Sequence, residues 1–349
     1  MADETRVMRA WYYEKFGGPN VVQCGELPEP KLEDTQDVAV KIHAAALNPI
    51  DYKRRQGALK YIMKDRWPQI VGYDISGVIT MCGANVKKFR VGDEVFGMLP
   101  HDRIGALAET AVVHEDYLAK KPSNLTHNQA ASLPLVSLTA LLGFRYGKLQ
   151  ENKKVLITGG AGGVGTVAIQ IAKHVFKAQK VATTASSRKI QKLKDLGADE
   201  VVDYNRETFE RELAEYDFAL DCTGESKRCF DCITRQGAVI SISETPSQSV
   251  LRGKESKGVY ISRFVGMILD CLSYSVAKKA REAQIDYDYF FSVGDGDALD
   301  EIRVLCEEKK LIPVVDKVFP FEKADAAIEY LESGHATGKV VVELVVKAV

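Results

Sequence analysis

Charge of one sign is not in surplus in this sequence. Over 349 residues, 47 lysines and arginines stand against 48 aspartates and glutamates, a formal net charge of −1. Such a balance offers no overall field to collect a polyanion, so neither nucleic acid nor an anionic membrane is expected as a partner. Long apolar runs are also missing. The most apolar stretch of the second half, Val259 to Leu272, is broken by Arg263 and Asp270 and is too short to cross a bilayer. The chain opens MADETRVMRA, with Asp3 and Glu4 ahead of any apolar segment; this fits neither a secretory signal nor an arginine-rich transit peptide, and the cytoplasm is the expected location. Cysteines are too few and too scattered for a disulfide framework: seven, at 24, 82, 222, 229, 232, 271 and 306. Cys229 and Cys232 form a lone CxxC with no second pair at zinc-finger spacing, so helix packing is expected of them rather than redox or metal chemistry. The histidines, at 43, 101, 114, 127, 174 and 335, show no ligand spacing and read as surface or capping residues.

What is present is ample apolar material, 46% of residues, in a chain long enough for two cores. The first third reads as short strands with glycine and proline punctuation, such as VAVKIHAAAL (38 to 47) and YDISGVITMCG (73 to 83), and shows no long helical period before about Asn128. From there VLITG, KVATTA, EVVDY, YDFALD and AVISIS alternate with helical stretches, and YDYFFSV (287 to 293) reads as a sixth strand. Strands alternating with helices imply βαβ units in a parallel, doubly wound sheet. The fold class is therefore α/β. The expected division is a mostly β domain over 1–130, a Rossmann-type cofactor domain over 131–294, and a tail, 295–349, that returns to the first domain. Residues 247 to 285 are not readable.

The glycine-rich run GGAGGVG contains Gly160-x-Gly162-x-x-Gly165, follows the strand KKVLITG directly and opens a helix whose apolar residues fall at Val164, Val167, Ala168, Ile171, Ala172 and Val175. Strand, spacing and amphipathic helix together point to a dinucleotide: glycine at 160 permits the tight turn, at 162 the approach of the pyrophosphate, and at 165 close packing of helix on strand. The helix start, Gly163 and Val164 included, offers free N–H groups and a positive dipole end. An NAD-preferring site would carry Asp or Glu about 20 residues further on. TTASSRK stands there instead. Ser186, Arg188 and Lys189 supply donors and charge for a 2′-phosphate, which points to NADPH; the same residues also read as a solvated helix start.

On these residues, together with AAALNPIDYKRRQG (44 to 57), VGYDISGVI (71 to 79), VGDEVFG (91 to 97), SLPLVSLTALLG (132 to 143), LDCTG (220 to 224) and HATGKVVVEL (335 to 344), the chain resembles the zinc-independent branch of the medium-chain dehydrogenase/reductase superfamily, the quinone oxidoreductases and plant-type enone reductases. The resemblance implies a GroES-like fold for the β domain and places Thr139, Val164, Tyr204, Cys222, Thr223, Gly338 and Lys339 at the cofactor with the glycines of the turn. It implies Asn48 near the nicotinamide and Lys53 facing the substrate carbonyl; as donors to the substrate oxygen the candidates are Lys53, Tyr73 and the Asn48 amide. Zinc-dependent relatives have a cysteine in the loop matching LNPID and a His-Glu pair where this chain has Tyr73-Asp74; three ligands of zinc type cannot be assembled from Asn48, Tyr73 and Asp74 in that pattern. No metal is expected. Asn48 also reads as a turn cap ahead of Pro49, and Lys53, Arg54 and Arg55 as three cations on a solvated face.

The expected activity is NADPH-dependent reduction of quinones or α,β-unsaturated carbonyls, with a small-molecule substrate and, by resemblance, a homodimer. The alternative is an NADPH-binding sensor or scaffold with little turnover.

Overall fold

A computed structural model describes residues 6–252 and 259–344, so part of the unreadable segment and the last residues of GKVVVELVV lie outside it. The described chain divides into two compact units. One takes the residues up to Leu135, then Val293–Lys309 and those from Pro313; the other takes Val136–Ser292 and Lys310–Ile312. The sequence placed the breaks after 130 and 294.

In chain order the first unit opens with β1 (Val7–Tyr13), β2 (Gln23–Pro28), β3 (Asp37–Leu47), a short helix α1 (Pro49–Arg55), β4 (Gln69–Ile70), β5 (Asp74–Cys82), β6 (Glu94–Met98), β7 (Thr110–His114), β8 (Leu118–Lys120) and α2 (His127–Ala131). Helix α3 (Pro134–Tyr146) leads into the second unit. There β9 (Lys154–Ile157), α4 (Gly163–His174), β10 (Lys180–Ala185), α5 (Ile190–Asp195), β11 (Glu200–Asp203), α6 (Phe209–Glu212), β12 (Tyr216–Asp221), α7 (Ser226–Cys229), β13 (Ile233–Ser241), α8 (Gln248–Leu251), α9 (Arg263–Ala283) and β14 (Asp286–Tyr289) follow one another. Finally α10 (Gly296–Glu307), β15 (Val315–Pro320), α11 (Ala324–Glu332) and β16 (Lys339–Glu343) belong to the first unit again.

The first unit is built on a seven-stranded sheet ordered β15-β16-β3-β5-β6-β8, with β7 also on β3. Strand β3 is buried over nearly its whole length, with Lys41 its exposed residue, because β5, β7 and β16 all pair with it. A strand covered on both faces must be apolar throughout, and DVAVKIHAAAL is close to that. Register then aims the polar residues that follow. Val340 of β16 pairs with Leu47 and Asp74 of β5 pairs with Ala46, so Lys339, Asn48 and Asp74 meet at one end of three adjacent strands.

The second unit holds a six-stranded sheet ordered β11-β10-β9-β12-β13-β14, parallel at every pairing. Counted from β9 this is strand order 3-2-1-4-5-6, the doubly wound Rossmann order, whose switch point lies between its first and fourth strands, here β9 and β12. The fold class is thus α/β, as read from the sequence. Two details differ. YDYFFSV ends its strand at Tyr289, and helix α4 is buried continuously from Gly165 to Ala172 rather than along one stripe, with the Gln170 amide held by the backbone of Ile312.

Candidate active site

The cofactor half of the site grows from the turn after β9. Gly159 sits in the left-handed region at φ +65, and a side-chain carbon at Gly165 would stand 2.4 Å from the Gly159 carbonyl oxygen and 2.6 Å from Gly160 Cα. Only glycine allows that approach of helix to turn. Gly162 precedes α4 as its cap residue with no side chain capping the helix start, and its added carbon would meet nothing nearer than 3.3 Å. The first-turn N–H groups of Gly163, Val164 and Gly165 are thus left without a side-chain cap, the arrangement that a pyrophosphate fits.

Across the switch point, β12 ends at Asp221, a residue the sequence reading passed over. Its Oδ1 accepts from Thr158 Oγ1 at 3.0 Å and from the backbone N–H groups of Thr223, Gly224 and Glu225, while Oδ2 accepts from Ser226 and Ser241. This carboxylate folds the Cys222-Thr223-Gly224 turn beside the glycine turn; Cys222 N donates to Thr158 Oγ1 at 2.8 Å. Burial pushes the Cys222 thiol up, out of reach of thiolate chemistry. Cys229 and Cys232 are buried free thiols, likewise pushed up by burial.

At the end of β10 Ser186 and Lys189 are half-buried and Arg188 is exposed, with no ion-pair partner for its guanidinium among the described residues. Tyr204, 61% exposed, follows β11, whose last residue Asp203 pairs with Ala185 of β10. Asp203 is an acid close to this corner that the sequence spacing hid. It is occupied: Ser187 Oγ donates to it, as do the backbone and amide of Asn205, and the Ser187 bond holds its carboxyl below the usual range. Thr139 is buried within α3.

In the first unit the polar cluster at the ends of β3, β5 and β16 is nearly closed to solvent. Lys339 Nζ donates to Leu47 O at 2.8 Å, Asn48 Oδ1 at 2.6 Å and Asp74 Oδ2 at 3.1 Å. Asn48 Nδ2 donates to Asp74 Oδ2 at 2.9 Å, and the Asn48 N–H to Asp51 Oδ2 at 2.7 Å. Asp74 is fully buried, and desolvation pushes its carboxyl up against the opposing pull of Lys339. Asp51 lies deeper in energy terms: burial lifts its carboxyl to about 7, and its Oδ1 has no hydrogen-bond partner among the described residues. Gly338, at φ +81, turns the chain into β16 where any side chain would strike Val314 O. The Lys339 ammonium, expected at the cofactor, makes its hydrogen bonds inside this cluster.

The cations of α1 are not one solvated face, and that reading is corrected. Successive helical residues are turned by about 100°, which leaves Lys53 exposed and turns Arg54 and Arg55 inward. Arg54 donates to Asp65 Oδ1 at 2.5 Å, Tyr73 Oη at 2.8 Å and His101 O at 2.7 Å. Arg55 reaches Glu332 at 2.5 Å. Tyr73 is consequently buried with its hydroxyl held by Arg54, and burial pushes that hydroxyl up to about 12. His101 is buried too, its Nδ1 3.3 Å from Tyr73 Oη, so the surface reading fails for it; His114 does cap a turn, accepting from Asp116 N. The Lys53 ammonium has no ion pair among the described residues.

A doubly wound sheet with a glycine-rich turn opening a helix, joined in one chain to a β unit of this topology, is the architecture of the nucleotide-dependent dehydrogenase class. Residues 34–123 match the alcohol dehydrogenase GroES-like domain and 196–342 the zinc-binding dehydrogenase family. The 2-methylene-furan-3-one reductase of Solanum lycopersicum is 34% identical over 345 residues, 96% of this chain and 79% of its own. The NADPH-dependent alkenal/one oxidoreductase, chloroplastic, of Arabidopsis thaliana is 35% identical over 344 residues, with the same coverage. Among solved structures, the quinone oxidoreductase from Coxiella burnetii superposes with a TM-score of 0.82 at 30% identity, covering 97% of this chain and all of that one. The chain belongs to the medium-chain dehydrogenase/reductase superfamily, in its quinone oxidoreductase and alkenal/enone reductase branch, and it is an enzyme of that oxidoreductase class.

One matching family is described as zinc-binding, and the residues here do not fit that metal. The Asn48 and Asp74 side chains already bind the Lys339 ammonium, and Tyr73 binds Arg54. Among the described residues no group of three or more His, Cys, Asp or Glu side chains could hold a metal ion.

Proposed function

We propose that this enzyme uses NADPH to reduce α,β-unsaturated carbonyl compounds and quinones, without zinc. The observation that carries the reading is the Lys339 ammonium in the Asn48–Asp74 cluster: a fixed internal cation fills the ligand position and leaves nothing of Lewis-acid type to stabilise an alkoxide. Conjugated acceptors suit such a site because the charge that develops on them is spread onto an enolate or quinol oxygen, which hydrogen bonds stabilise.

NADPH, when bound, supplies the hydride. The N–H groups of Gly163, Val164 and Gly165 would hold its pyrophosphate, with Gly160 and Gly162 giving the room; Ser186, Arg188, Lys189 and Tyr204 would hold the 2′-phosphate; Thr139, Cys222 and Thr223 would line the rest of the cofactor. In a conjugated acceptor the new C–H bond would form at the β-carbon, the C=C π pair would shift into the α-carbon–carbonyl bond as the C=O π pair moves to the oxygen, and solvent would supply the proton at the α-carbon. Lys53 is assigned to that oxygen as the polarising donor. Asn48 and Tyr73, both held by buried partners, are assigned to positioning. Free thiols at all seven cysteines support a reducing compartment such as the cytoplasm, although one relative is chloroplastic by name. The edge strand β14 supports a homodimer formed by strand pairing.

The test is NADPH oxidation measured against a panel of enones, quinones and saturated aldehydes, with and without a metal chelator. Turnover of the first two classes that survives chelation is expected; turnover confined to saturated aldehydes, or lost with bound zinc, contradicts the proposal.

A further inference from the structure

Helix α9 is built the wrong way round for a soluble surface. Its buried positions include Gly266, Ser273 and Ala280, spaced by seven, with Val276. Its large apolar residues point out: Phe264 is 67% exposed, Met267 56%, Ile268 44% and Leu272 61%, with Cys271 exposed among them. Residues at i, i+3, i+4, i+7 and i+8 share one helical face, so these five form a continuous apolar stripe over the first three turns. Tyr260, 67% exposed, stands just ahead of it. A stripe of this kind marks a surface that something covers.

The charges around the stripe say what. Arg252, Arg263, Lys278 and Arg281 are exposed around it. Of the acids in the helix, Asp270 is turned to Gln248, accepting from its N–H at 2.8 Å, which leaves Glu282 as the exposed carboxylate, 3.8 Å from Lys278. Arg263 even occupies the first helical position, where the positive end of the helix dipole opposes a cation. A second copy laid on this face would bring like charges together. An anionic lipid surface would meet both features, apolar side chains entering the headgroup boundary and cations facing the phosphates.

We propose that the outer face of α9 docks the enzyme on the surface of an anionic bilayer, lying in the plane of the interface. No described helix is long and apolar enough to cross one, so the contact is peripheral. The proposal departs from the expectation drawn from net charge, because a sum of −1 over the chain does not report a local excess of cations.

Sedimentation with vesicles tests it without any substrate, so its outcome is independent of the proposed reaction. The full-length enzyme should sediment with vesicles of phosphatidylcholine and phosphatidylserine, weakly with phosphatidylcholine alone, and less as salt is raised. The triple variant Phe264→Ser, Ile268→Ser, Leu272→Ser should bind about 10-fold to 1,000-fold less, as expected for losing several buried apolar side chains, while NADPH binding and thermal unfolding stay near wild type. Charge reversal with Lys278→Glu and Arg281→Glu should weaken binding to the anionic vesicles alone. No binding by the wild type, or equal binding by the triple variant, overturns the proposal. So does a triple variant that turns a lipid-free dimer into a monomer in analytical ultracentrifugation, because the stripe would then belong to a second copy.

Discussion

Lys339 Nζ lies 3.1 Å from Asp74 Oδ2 with both side chains almost wholly buried, an ion pair that joins the last strand of the chain to β5 across β3. Desolvating two charges is costly, and such a pair is tolerable only because Leu47 O and Asn48 Oδ1 take the remaining ammonium protons. Removing one partner strands the other. Lys339→Met should therefore destabilise the enzyme by about 3–5 kcal/mol in denaturant unfolding, and adding Asp74→Asn should restore part of that loss. Additive losses in the double variant would mean that the two groups do not act as a pair.

Asp51 makes stability depend on pH in a direction opposite to that of most carboxylates. Its carboxyl titrates at about 7 in the folded enzyme and near 3.8 when free, so between those values the folded state holds a proton that the unfolded chain has released. Stability contributed by this group is complete below the unfolded value and is lost as pH rises through the folded one. Asp51→Asn keeps an acceptor for the Asn48 N–H and removes the titration. Compared with wild type, the variant should gain stability progressively as pH rises from about 4 to about 7 and keep that gain above it. A wild-type profile unchanged by the substitution would place the Asp51 titration outside this window.

On the proposed assignment, cofactor choice rests on the corner after β10. Lys189→Glu replaces a cation with a carboxylate facing the 2′-phosphate and should raise the KM for NADPH by about 10-fold to 100-fold, the worth of one charge-assisted hydrogen bond, with little change for NADH. Equal affinity of the unmodified enzyme for the two nucleotides would remove the assignment.

Lys53, exposed on α1 beside the inward-turned Arg54, is the free cation of the NPIDYKR segment. Lys53→Ala should lower kcat by about 10-fold to 1,000-fold, the range for losing one donor to a developing oxyanion, with NADPH affinity nearly unchanged. An unaltered kcat across enones and quinones returns Lys53 to the solvated surface.

The dinucleotide turn was legible because its signal is local: a strand, three glycines at fixed spacing and a helix follow one another within one βαβ unit. The parallel, doubly wound sheet followed from the same alternation. The Lys339–Asn48–Asp74 cluster was not legible as a cluster. Its members are separated by up to 291 positions in the chain, and strand register, not local pattern, unites them. Arg54 and Arg55 looked solvated because a run of three cations carries no mark of which way each residue's step of about 100° around the helix aims it; Asp65 and Glu332, their partners, lie in distant loops and helices. Helix α9 escaped for a related reason. Its apolar residues do follow a helical period, but they occupy the face that points away from the core, and the packed face is made of small residues that no hydrophobic pattern displays.

The most direct test of the account is to follow the label from NADPH deuterated at C4 into the product of an α,β-unsaturated ketone. The proposed chemistry predicts one deuterium at the β-carbon, none at the carbonyl carbon, a proton from solvent at the α-carbon and one NADPH consumed per product, all unchanged by a metal chelator. Deuterium at the carbonyl carbon would show direct carbonyl reduction and contradict the mechanism, and tight NADPH binding with no transfer to any enone or quinone would leave a sensor in place of the enzyme.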